Sequence, residues 1–403
     1  MSRRQLAALF VCSLVPWTIG NGLTPLLPVY ATTLGASSAE AGCQLALMYG
    51  ALAAGMLAAD WVSQRLRGRK VLIFAAGALG TPTMWLMGYA QDSWQLAAVS
   101  AVWCLWAGMG VAQANVLAGL SAAQGQRGKV FGLLSMNPAL GALCGGLAMG
   151  TMAARCGYAA LFRCLSLFGL LWPVAACFLQ DGEVERSLRP YPKGPRNGVG
   201  MGRGFHALLL ASFLATLAAY LFIGGRSLIM LRLGFHATSI SSTSALSEVP
   251  VLPLPMLLGW LSDRFGRKRF LLLGYLAASA GLLAMAASAH IWHFWISSVL
   301  VTTSLVTGTV GSALAADLVP REALGKGLSL LDATTPVAGI LGHAASGCAV
   351  QYLGSIRTFV PAALLPLMAA GLLLTSGPAR LEPGVAKPPA GSTAVGNALP
   401  AAA

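Results

Sequence analysis

The chain has 403 residues, 56% of them hydrophobic and only 9% charged, with a formal net charge of +14. A soluble domain carries roughly a quarter charged residues, so this composition excludes a water-solvated fold and points to the lipid bilayer as solvent. The basic excess would suit nucleic acid only if it were gathered on one face. Here it is divided among seven short segments, and no nucleic-acid partner is expected.

Apolar stretches of about 20 residues, the length a helix needs to cross roughly 30 Å of hydrocarbon, follow one another along the chain. The first six cover residues 6–30, 42–62, 71–89, 96–119, 130–153 and 159–179. The first reads as a retained span, not a signal peptide, because no small-residue cleavage site precedes a soluble domain. A polar break at 180–206, with Arg186, Arg189, Lys193, Arg196 and Arg203 among Pro and Gly, cannot pack a core and reads as a linker. Six more spans cover 207–230, 239–261, 270–289, 294–316, 328–353 and 359–376. The Pro-, Ala- and Gly-rich remainder, 377–403, reads as a disordered tail. The expected architecture is an all-α integral membrane fold of twelve transmembrane helices in two pseudo-symmetric six-helix bundles, residues 1–179 and 207–376.

Lys and Arg stay on the cytoplasmic side of inserted spans. Alternate segments hold 21 of the 26 basic residues, which sets both termini, the linker and the tail in the cytoplasm. No N-x-S/T acceptor occurs, which favours a bacterial inner membrane. The eight cysteines, Cys12, Cys43, Cys104, Cys144, Cys156, Cys164, Cys177 and Cys348, include no C-x-x-C pair and read as free thiols. No metal or cofactor is implied. Trp94, Trp292 and Trp295 fall at outer boundaries and read as interfacial anchors.

The halves repeat. Asp60-Trp-Val-Ser-Gln-Arg-Leu-Arg-Gly-Arg-Lys70 lies over Gly259-Trp-Leu-Ser-Asp-Arg-Phe-Gly-Arg-Lys268 when Arg67 is taken as an insertion, and Trp94 falls on Trp292, Gly110 on Gly308 and Gly141 on Gly339. Such parallel repeats are related by an axis along the membrane normal, with the solute site between them.

The second loop resembles the signature of the major facilitator superfamily, G-x-L-a-D-R-x-G-R-K, found between spans 2 and 3 and echoed between spans 8 and 9. The resemblance implies gating-loop roles for Gly259, Asp263, Arg264, Gly266, Arg267 and Lys268, and in the first copy for Arg65, Gly68, Arg69 and Lys70. There Gln64 stands at the acidic position and Asp60, one turn earlier, is the expected substitute. Gly141-Ala-Leu-Cys-Gly145-Gly146 is similar to the G-P-x-x-G-G motif of the family's proton-driven exporters, with Ala142 for the proline, and reads as either gating or helix packing. Such exporters often carry an Arg before G-x-G in span 4, where this chain has Trp103, Cys104 and Trp106, and an acid where it has Asn21.

Ionisable groups inside spans are costly and mark function by default. Glu248, 15 residues before Asp263 and so about 22 Å away along a continuous helix, is a candidate to load and release a proton. Its alternatives are a static pair with Arg226 or exposure to water. Asp332 reads as a helix-end acid paired with Lys326 or Arg321, or a second proton site. His343 is a neutral, hydrogen-bonded core histidine or a group titrating near neutral pH. Asn21, Gln44, Trp103, Trp106, Gln113, Asn115 and Arg226 are candidates to line the cavity.

No H-E-x-x-H, G-x-S-x-G or phosphate-binding loop occurs, so neither an enzyme nor an ATP-driven pump is expected. The leading function is a secondary transporter that moves a small molecule by alternating access, as a monomer coupled to protons and exporting amphipathic or drug-like compounds. Import or facilitation of a sugar or organic acid is the runner-up, and a transport-dead receptor or scaffold a remote third. Reporters fused to the two termini should both read as cytoplasmic; opposite sides would remove the twelve-span topology.

Overall fold

The computed structural model describes residues 2–66, 68–122, 127–180, 201–250, 252–320 and 323–376. The expected linker falls mostly, and the tail wholly, outside them, as do Arg67 and Arg321.

The described residues form helices and no strands, as lipid requires of an open chain that must satisfy its backbone internally. The first span is α1 (Arg3–Leu23), capped by the Ser2 hydroxyl, then α2 (Leu27–Thr33) beyond a break at Pro25. α3 (Ser38–Arg65) opens on a reciprocal cap, Ser37 N donating to Glu40 at 2.7 Å and Glu40 N to Ser37 Oγ at 3.2 Å. α4 (Arg69–Met87) and α5 (Ser93–Ser121) complete four spans. α6 (Arg127–Leu134), α7 (Asn137–Gly169) and α8 (Leu171–Cys177) close the first half. The second half is α9 (Arg203–Arg232), α10 (Ala237–Glu248), α11 (Leu254–Phe265), α12 (Arg267–Ala286), α13 (Ile291–Leu318), α14 (Leu324–Ala362) and α15 (Leu364–Thr375).

Among the described residues nine apolar helical stretches are long enough to cross a membrane. Two of them, Lys129–Cys177 and Lys326–Thr375, are about twice the needed length and reverse direction at one glycine each. Gly157 and Gly354 have φ of 79° and 75°, a left-handed backbone that glycine adopts without Cβ strain. The first reversal is visible in the neighbours of span 1. Asn137 reaches Phe10 O at 3.3 Å before the turn; Tyr158 stacks on Tyr30 at 4.4 Å just after it, and Gln180 bonds Gln5 at the far end. Span 8 adds two helices of 12 residues, each too short to count alone. The expected continuous helix over 239–261 is therefore corrected. Pro250 and Pro253 lack the N–H a helix needs and crowd the preceding turn, so α10 stops at Glu248 and α11 starts at Leu254.

The two halves touch most intimately along two crossings, α3 with α14 and α7 with α10. They are equivalent under the repeat, the second helix of one half meeting the fifth of the other. A Cβ on Gly42 would lie 2.7 Å from Gly347 Cα and from the His343 carbonyl. A Cβ on Gly146 would lie 2.9 Å from Ala245 Cβ, and the Ser241 hydroxyl donates to the Gly146 carbonyl. Small residues permit this backbone approach. Both crossings lie at the end away from the Arg/Lys loops. Toward the loops the bundles part: Ser329, Leu330, Asp332, Ala333, Thr335 and Val337 of α14 are all exposed and point around most of the helix at 100° per residue, while from Ala338 onward each turn of α14 is buried on one side.

Gly42→Val should lower the thermal midpoint of the purified chain by an amount equivalent to about 1–3 kcal/mol. Gly50→Ala, whose nearest neighbour would be Ile340 Cδ1 at 3.8 Å, should leave it unchanged; equal effects would deny the crossing its role.

Candidate functional site

A cavity of about 260 Å³ lies between the halves, walled by α1, α3 and α7 on one side and α9, α10 and α13 on the other. Trp17, Tyr49, Ile223 and Leu305 give it apolar walls, and Asn21, Ser244, Arg226 and Glu248 its polar groups. Asn21 also ties α1 to α7, its Nδ2 donating to Pro138 O at 2.9 Å.

Arg226 is 3% exposed. One terminal nitrogen donates to Ser298 Oγ at 2.8 Å, the other to Ser244 Oγ, and its plane sits over the Phe222 ring at 5.5 Å. Glu248, half-buried at the broken end of α10, lies within electrostatic reach of Arg226, but no ion pair joins them in the structure. Static pairing is therefore not what this conformation displays. Ser244 and Ser298, the groups that hold Arg226, and the tyrosines Tyr49 and Tyr220 carry no sequence motif and were not among the expected residues.

His343 corrects an expectation. It is fully buried, against Tyr49 at 4.7 Å and Tyr220 at 5.3 Å, yet neither ring nitrogen has a hydrogen-bond partner among the described residues. It is packed between α3 and α9 against the two tyrosine rings, with no acceptor or donor aligned on either ring nitrogen. Asp332 is exposed and makes no hydrogen bond or ion pair among the described residues, Lys326 included. It lies on the exposed side of α14, next to Leu331, which is buried against the second half.

Five expected cavity residues lie elsewhere. Trp103 is buried in the first bundle, against Gly20 and Gly80, and Trp106 packs beside it; a large indole in a span fills the bundle interior as readily as a cavity wall. Gln44 is buried away from the cavity lining with both amide atoms unpartnered. Asn115 is exposed outside the lining. Gln113 belongs to the loop cluster: its Nε2 donates to Asp60 Oδ1 at 3.1 Å and its Oε1 accepts from Arg69.

That cluster is a clasp. Arg69, at the start of α4, pairs with Asp60 of α3 at 2.9 Å, while Lys70 donates to Cys177 O at 2.8 Å. Asp60 thus gives Arg69 an acidic partner within the first loop. In the second half the equivalent Arg267 binds Asp317 of α13 at 2.8 Å and Ala313 O at 2.6 Å. Asp317 was not foreseen; a lone acid at the end of a span facing a basic loop was the signal. Arg65 and Arg264 are exposed and lie over Trp61 and Trp260, Gly68 and Gly266 precede the helices α4 and α12, and Lys268 lies beside Arg267 in an opening of about 830 Å³ at the loop end. The expected parts of Gly259 and of the Asp263 carboxylate fall outside the described side chains. Gly141 and Gly145 meet the backbone of α1 at Thr18, and Gly146 meets α10, so this motif packs span 5 between both halves.

Two kinds of known protein resemble the chain. "Multidrug resistance protein MdtG" of Serratia proteamaculans (strain 568) is 26% identical over 298 residues, 68% of this chain and 69% of the relative. "Tetracycline resistance protein, class C" of Escherichia coli is 32% identical over 104 residues, about a quarter of each chain. Among solved structures, a bacterial homologue of the human lysosomal transporter Spinster, inward-facing and occupied, superposes with a TM-score of 0.75 at 15% identity over 93% of this chain and 97% of its own. The peptide transporter POT in complex with sulfate gives 0.73 at 16% identity over 92% and 94%. At such identities the structures share the fold. The Major Facilitator Superfamily model matches residues 6–203 and 208–400, and the chain belongs to that superfamily, as a multi-pass membrane transporter and not an enzyme.

Proposed function

We propose that the chain is a proton-coupled secondary transporter of small amphipathic solutes, working by alternating access around the cavity between its halves, with Glu248 as the proton carrier. The observation that carries this reading is a carboxyl in the cavity between the halves, with a buried cation in reach and no ion pair among the described residues. An acid locked in a pair would not exchange its proton as the cavity changes sides. The basic loops lie in the cytoplasm of a bacterial inner membrane, so the conformation closed at the far end and parted at the loops faces inward.

Export of amphipathic compounds is the direction favoured by relatives named for multidrug and tetracycline resistance. Import of a small organic acid is the direction favoured by the buried Arg226. The direction in which an imposed pH gradient drives solute in proteoliposomes separates them. Glu248→Gln should abolish that driven flux and spare counterflow; driven flux that survives would take the proton carrier elsewhere.

The clasps act on the closing of the loop end. Breaking one alters the rate of changing sides without touching the cavity, so Asp60→Asn should slow counterflow about tenfold at unchanged half-saturation. A raised half-saturation instead would move Asp60 into the solute's path.

A further inference from the structure

The cavity holds one charge that its surroundings leave unanswered. Arg226 is almost wholly buried, its terminal nitrogens meet only the Ser298 and Ser244 hydroxyls, and its Nε has no partner among the described residues. Hydroxyls accept hydrogen bonds but do not neutralise a guanidinium, and an uncompensated ion in a low-dielectric interior is expensive. Such a group is poised for an anion. The walls beside it, Trp17, Tyr49 and Leu305, are apolar and aromatic, which suits the remainder of an amphipathic molecule.

Glu248 determines when the anion can enter. With Glu248 ionised, cavity and guanidinium sum to neutral and a second carboxylate meets repulsion. With Glu248 protonated, the cavity carries a single positive charge and an incoming anion restores neutrality. Of the described groups facing Glu248 across the cavity, α9 supplies Arg226 and Tyr220 and α3 supplies Tyr49; α1, α7 and α13 supply only uncharged side chains. His343 of α14 is in contact with the two tyrosines and is not in the lining. Among the described residues nothing else of fixed charge lines the cavity.

We infer that the cavity takes an organic anion with an apolar, aromatic-compatible body, its carboxylate docked on Arg226, and that this anion and a proton on Glu248 bind together, each promoting the other. This rests on the transport reading only in taking the same cavity as the solute site. Reciprocal linkage makes the pair travel in one direction, so an inward proton gradient drives the anion in, and export runs only down the anion's own gradient.

The test is thermal unfolding of the full chain in lipid nanodiscs with naphthoate and with its uncharged amide. Naphthoate should raise the midpoint and the amide should not, and the apparent affinity for naphthoate should fall up to about tenfold per pH unit once Glu248 has lost its proton. Glu248→Gln should flatten that pH dependence. Arg226→Gln should remove the naphthoate response, and Arg226→Lys should keep part of it. The comparison of the two probes and its pH profile need only the unaltered chain, so a variant that fails to fold leaves the test intact. No response to naphthoate, equal responses to both probes, a response retained by Arg226→Gln, or pH-independent binding by the unaltered chain would each overturn the inference. A chain that binds naphthoate in this way yet moves no solute in proteoliposomes would instead sink the transport reading alone.

Discussion

Everything in this molecule turns on two places where backbones of opposite halves come into direct contact. In lipid the hydrophobic effect does not hold helices together, because tails are as apolar as side chains. Attraction between halves must come from close packing and from hydrogen bonds such as that of Ser241 to the Gly146 carbonyl. Gly42, Gly347 and Gly146 make this possible by having nothing in the way. An interface built so loses its grip within a short distance, since a gap of about 0.5–1 Å forfeits roughly a quarter to a half of the dispersion energy. That is the property a two-position carrier needs from its seal.

The loop end works by the opposite chemistry. Its contacts include partly exposed ion pairs, Arg69 with Asp60 and Arg267 with Asp317. Exposed ion pairs hold with little energy and are weakened by salt and water. The packed seal joins the halves at one end, while at the other each ionic clasp lies within its own half and the bundles stand apart. The cavity sits between them, with its two charged residues on the second half and Asn21 on the first.

The membrane architecture was legible because it follows from run length, charge asymmetry and an internal repeat, all one-dimensional properties. The clasp was legible in part for the same reason: the spacing of Asp60 from Arg69 is local. The cavity lining was not, because whether a residue on a span faces lipid, bundle core or centre depends on helix rotation, which composition leaves open. Gln113 and Trp103 lie on the same helix ten residues apart and both are buried, yet one joins the loop-end clasp while the other fills the bundle. Arg226 and Glu248 were found because ions are too costly in lipid to lie anywhere but the interior. Their serine neighbours, cheap to place anywhere, gave no such signal.

The interruption of span 8 has one more consequence. α10 and α11 are each about 18 Å long, neither able to cross the membrane alone, joined by a short proline-bearing joint. The outer arm is pinned to α7 through Ser241, and the inner arm leads into the Arg267 loop. At the joint Pro250 and Pro253 offer no N–H, while Leu252 N still donates to Glu248 O at 3.0 Å, so bending is easier there than along the two arms. Glu248 stands at that joint, so any bending there would turn the acid as well, with no second moving part.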